Sequence, residues 1–124
     1  MAKILKCQDC NNLALELVKD KCDLHCCGKP LTELIPNTHE GAGEKHIPVL
    51  SKEGNLVHVN VGEVNHPMLE AHYIEWIALE TNHGLSIKYL KPGEAPHADF
   101  ALVEGEEVIQ ALAYCNIHGL WAGK

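Results

Sequence analysis

The sequence predicts an all-β protein in two parts: a small cysteine-rich metal-binding unit over residues 1–36, then an antiparallel β-sandwich or barrel over residues 37–124. Three observations carry this. Short apolar runs, some alternating with polar residues, recur between Gly/Pro turns at regular intervals. No long amphipathic helix, repeat or low-complexity stretch interrupts them. Four cysteines spaced C-x2-C-x15-C-C mark the N-terminal unit.

Composition narrows the class further. A chain of 124 residues holds one ordinary domain, or a small one beside a modest one. No run approaches the roughly 18–20 apolar residues of a membrane span. Met1–Cys7 lacks the apolar region of a signal peptide. We therefore expect a cytoplasmic protein, with no membrane partner. Thiols stay reduced in that compartment, so six cysteines point to metal ligands before disulfides. The net charge is −7 and unevenly spread. Residues 1–36 carry five lysines and five acidic residues; residues 37–124 carry five and twelve. Arginine is absent, and no basic face for a nucleic acid is expected. Nine histidines invite a metal reading.

In chain order, Cys7-Gln8-Asp9-Cys10 is a knuckle and Leu13–Val18 a short strand or hairpin arm. The adjacent Cys26 and Cys27 precede Gly28-Lys29-Pro30, which is turn chemistry. Four thiolates suit a tetrahedral site for zinc or iron alike. A unit this small buries too little apolar surface to fold alone, so the metal supplies stability. Neighbouring ligands diverge on an extended chain, so Cys26 and Cys27 require a bend. Cys22 and His25 read as a free thiol and a surface imidazole.

Residues 36–46 read as a glycine-bearing mobile linker. Strands follow, with a start near Val49-Leu50, then Val57-Val59-Val61 alternating with His58 and Asn60. Residues 73–80, 85–90, 100–103 and 108–114 complete the series, with turns at Asn82-His83-Gly84, Lys91-Pro92-Gly93 and Glu104-Gly105-Glu106.

The C-terminal stretch Tyr114–Trp121 offers Cys115 and His118 three residues apart, on a turn that Gly119 permits. His46, His66 and His72 are the candidates to complete a shell. On a straight strand, at ~3.3 Å per residue, His66 and His72 would stand about 20 Å apart, so Pro67–Ala71 must curl. Zinc rarely takes five protein ligands; four imidazoles and one thiolate suit iron, with a sixth position open. His39, His58, His83 and His97 read as surface residues, and Glu44 with Lys45 as a solvated charge pair.

Taken together and in order, Cys7–Cys27, Glu44-Lys45-His46-Ile47-Pro48, His66-Pro67-Met68, His72–Ile77, Lys91-Pro92-Gly93 and Tyr114–Trp121 resemble the desulfoferrodoxin family, the two-iron superoxide reductases. The resemblance spans nearly the whole chain. It implies a desulforedoxin-like domain holding iron, or zinc as a substitute, through Cys7, Cys10, Cys26 and Cys27. It implies an immunoglobulin-like catalytic sandwich whose iron has His46, His66, His72 and His118 in the equatorial plane and Cys115 axial. The open position would receive superoxide and yield hydrogen peroxide without dioxygen. A rubredoxin-like donor or another reductase would supply electrons to a homodimer. Lys45 would make the mouth electropositive on an acidic body and orient a proton-donating water, and Glu44 would fill the sixth position in the resting ferric state. The family's glycine after the second cysteine is Asn11 here, which predicts an unusual backbone or a shifted turn. The competing readings are a two-iron electron carrier without substrate chemistry and a zinc-stabilised interaction domain.

Overall fold

A computed structural model describes residues 3–124; Met1 and Ala2, part of the stretch read as lacking a signal region, lie outside the described residues. The chain divides between Ile35 and Pro36 into two compact units.

The first unit is built on β1 (Lys3–Lys6), which pairs antiparallel with β2 (Leu13–Glu16) on one side and β5 (Thr32–Glu33) on the other. Between β1 and β2 the chain turns back at Cys7, whose N–H donates to the Asn12 carbonyl at 3.0 Å. The expected bend at the paired cysteines is a tight hairpin. Strands β3 (His25–Cys26) and β4 (Lys29–Pro30) pair antiparallel. The linking Cys27 and Gly28 both have positive φ, 53° and 75°, as a primed two-residue turn requires. Among the described residues the other non-glycine with positive φ is Asn37, not Asn11. The unusual backbone predicted at Asn11 is therefore absent, and the turn closes through Cys7 and Asn12 instead. Ile4, Leu5 and Cys7 are the buried apolar side chains of this unit, a core too small to stand unaided.

The second unit is a sandwich of antiparallel sheets. It opens with a single helical turn, α1 (Gly43–His46), inside the stretch read as a mobile linker. Strands β6 (Pro48–Glu53), β7 (Leu56–Val61) and β10 (His97–Ala101) form one sheet in the order β10-β7-β6. Strands β8 (Ile74–Thr81), β9 (Gly84–Tyr89), β11 (Val108–Cys115) and β12 (Gly119–Gly123) form the other, ordered β12-β11-β8-β9. Val57, Val59 and Val61 from the first sheet pack against Ile77, Leu79, Ala111 and Ala113 from the second, with Phe100 and Cys115 in the same cluster. The alternation along β7 thus buries its valines and leaves His58 and Asn60 on the outer face.

Two strand readings needed correction. Strand β10 begins at His97, three residues before the expected start, because Ala98 and Phe100 share the buried face and His97 pairs with Asn60. Strand β12 was not anticipated; its terminal glycines disguise it, yet Leu120 and Trp121 are buried and Gly119 pairs with Cys115.

Candidate metal centres

In the first unit Cys7, Cys10, Cys26 and Cys27 converge, with their sulfurs all within 4.8 Å of one another. Cys10 Sγ lies 3.7 Å from Cys26 Sγ, which is 3.9 Å from Cys27 Sγ. The knuckle's amide geometry favours charge on one sulfur: the Asp9 N–H meets Cys7 Sγ at 3.4 Å and holds its thiol down to about 6. The contact with Cys7 in turn pushes Cys27 up to about 12 and raises Cys26. One negative charge is easily held here and further ones repel, so full ionisation needs a cation at the centre. Asn12 Nδ2 also donates to Cys26 Sγ at 3.6 Å. Cys22 and His25 are exposed and stay out of the cluster.

In the second unit one donor atom from each of His46, His66, His72 and Cys115 lies within 4.8 Å of the others. His46 ends α1, and Cys115 ends β11. The segment carrying His66 and His72 curls as expected: Leu69 and His72 exchange backbone hydrogen bonds of 3.0 Å, and the His66 N–H donates to the Val61 carbonyl. The His118 ring abuts the group, with its centroid 4.9 Å from that of His46 and 5.1 Å from that of His72, but it does not join the four donor atoms.

Backbone carbonyls orient the imidazoles. His46 Nδ1–H donates to Ala42 O, His66 Nδ1–H to Pro67 O and His118 Nδ1–H to Glu40 O, each at 2.7 Å. With Nδ1 protonated, Nε2 of His46 and Nε2 of His66 are both lone-pair acceptors, yet they face each other at 3.1 Å. Burial pushes His66 down to about 4 and lowers His46 and His72, which favours the neutral imidazoles. His72 Nε2 is buried without a partner. Cys115 is fully buried, which raises its thiol, although the N–H groups of His118 and Ile117 favour its thiolate. Unshared imidazole lone pairs beside a buried sulfur are the donor set of a borderline-soft cation, and an Nδ1–H held by a carbonyl is how metal-binding histidines are usually fixed. Both clusters fit mononuclear iron.

Several supporting groups were not visible in the sequence. Asn116 ties the two ligand-bearing loops together: its Oδ1 accepts from Tyr73 N and its Nδ2 donates to Ala71 O, at 2.9 and 3.0 Å. Trp121 stacks on His46 at 4.8 Å and donates from Nε1 to His118 O. Gly41 is no mobile link: a Cβ there would stand 3.1–3.2 Å from the rings of His46, His118 and Trp121. His39, read as a surface residue, lays its ring against Gly119, and its Nε2 is buried without a partner. Only the stretch's residue types were legible; the carbonyls that orient the rings belong to any residue.

Glu44 and Lys45 are exposed beside His46. They form no ion pair with each other among the described residues. The Lys45 charge reaches the centre, since it contributes to lowering both His46 and His72.

Comparison with known proteins agrees with these geometries. The profile of the family described as Desulfoferrodoxin matches residues 38–124. A desulfoferrodoxin of Nitratidesulfovibrio vulgaris is 44% identical over 119 residues, covering 96% of this chain and 93% of that protein. A desulfoferrodoxin homolog of Archaeoglobus fulgidus is 43% identical over 119 residues, covering 96% and 94%. The crystal structure of the superoxide reductase from Treponema pallidum superposes with a TM-score of 0.83 at 35% identity, covering 100% of this chain and 99% of that one.

Proposed function

The chain belongs to the desulfoferrodoxin family, and from that premise we propose that it is a superoxide reductase, with the His/Cys centre as its active site and the four-cysteine centre as a second iron site. The observation that carries the reading is the pair of opposed Nε2 lone pairs of His46 and His66 beside buried Cys115. His46, His66, His72 and Cys115 would hold an iron ion there, with the adjacent His118 ring as a fifth donor, and that iron would supply the one electron that, with two protons, turns superoxide into hydrogen peroxide.

The chain's own residues set the conditions. The buried Cys115 sulfur, with two amide N–H groups aimed at it, would offer a bound iron an anionic donor, whose electron density would favour product release. Lys45 draws the substrate anion toward the histidines against an acidic body and orients the water that delivers a proton. Glu44, exposed beside His46, would be the carboxylate able to close the open position when the site is oxidised and no substrate is bound. A rubredoxin-like protein or a reductase supplies electrons, in a reducing compartment such as the cytoplasm that keeps all six cysteines free. Among the described residues no helix is long and apolar enough to cross a membrane. Homodimerisation belongs to the same proposal, and light scattering tests it.

The deciding experiment mixes the reduced protein with superoxide and follows peroxide and dioxygen. Peroxide formed without dioxygen supports a reductase. Dioxygen release would make it a dismutase. No reaction, with a visible spectrum that azide leaves unchanged, would leave an electron carrier.

A further inference from the structure

The outer face of the β10-β7-β6 sheet carries a third group of metal-ligating side chains, which neither centre uses. His58 on β7 lies directly opposite Asp99 on β10. His97 precedes Asp99 by two residues, so the strand period puts all three on one face. The sequence reading left His58 and His97 as surface residues because their pairing with Asp99 depends on strand register. His58 Nδ1 and His97 Nε2 both meet Asp99 Oδ1, at 2.5 and 2.7 Å. The two rings stack with centroids 6.0 Å apart and planes 24° apart. Glu53 of β6 adds a carboxylate oxygen 3.7 Å from His58 Nε2.

We propose that His58, His97 and Asp99 form a third metal site, for a divalent cation of the class that favours imidazole, such as zinc. Their donor atoms lie within 4.8 Å of one another. The sheet has already fixed the three backbones, so binding orders little beyond side-chain torsions. The cation replaces the protons that now join each imidazole to the shared carboxylate, and those protons leave to solvent. Two imidazoles and one carboxylate form a three-ligand zinc set with a position left for water. Magnesium and calcium, which want oxygen ligands, are poorly served. The neighbouring Lys88 ammonium does not compete for the carboxylate; it is engaged by the Asp99 carbonyl oxygen and lies over the Phe100 ring. An imidazole binds a cation only through an unprotonated nitrogen, so acid should oppose binding.

Calorimetric titration of the full chain, carrying its resident metals, with zinc in excess magnesium tests the site. One equivalent should bind while the visible absorption of the iron centres stays unchanged. His97→Ala and Asp99→Asn should each weaken that uptake by about tenfold or more, with the iron absorption retained as proof of folding. The proposal is overturned by no uptake, by uptake indifferent to both variants, or by uptake that bleaches the iron absorption and so reports exchange at the cysteines.

Discussion

Two neutral imidazoles whose lone pairs meet at 3.1 Å are a costly arrangement without a cation between them, and that local conflict defines the chemistry of the second unit. The outcome at single residues follows from it. Cys115→Ser should abolish the sulfur-to-iron absorption of the oxidised protein, because the oxygen ligand lacks the soft donor orbital; an intact band would show that another group is the ligand. Lys45→Ala should slow superoxide capture several-fold to about tenfold and flatten its dependence on ionic strength. Pulse radiolysis measures both, and an unchanged rate would remove Lys45 from the mechanism. The ligand types were readable in the sequence, since imidazole and thiolate have few other reasons to gather. The groups that aim them were not: Ala42, Pro67 and Glu40 act through their carbonyls, which every residue has.

At the scale of elements, the site is a junction of loops whose spacing rests on a few fixed contacts. Asn116 bridges the turn after β11 to the segment that precedes β8. Asn116→Ala removes two hydrogen bonds and should cost about 1–2 kcal/mol in the second unit, with a shifted iron absorption; chemical denaturation and the visible spectrum check it. Gly41→Ala puts a methyl group against three rings at a φ of 153°. It should destabilise by about 1–3 kcal/mol and lower iron content, read by elemental analysis. The valine alternation of β7 made that strand legible, because one buried face imposes a period of two. Strand β12 escaped because its end glycines carry no pattern; its place is set by pairing with β11 and by the burial of Leu120 and Trp121.

For the whole molecule the two units differ in what holds them. The second has an aliphatic core drawn from both sheets, whereas the apolar side chains buried in the first are Ile4, Leu5 and Cys7. Chelation of both metals should therefore collapse the amide resonances of residues 3–35 to disordered positions while those of the sandwich stay dispersed. Survival of the first unit without metal would mean that its three-stranded sheet suffices. The all-β class, the cysteine cluster and the imidazole and thiolate character of the donors were legible in the sequence alone. Ligand types, turn residues and strand periods are local properties, written in consecutive residues. Tertiary structure decided which histidines converge, which carbonyls orient them, and that His58, His97 and Asp99 share a face. Those depend on strand register and loop closure, which bring together residues far apart in the chain and leave no local mark.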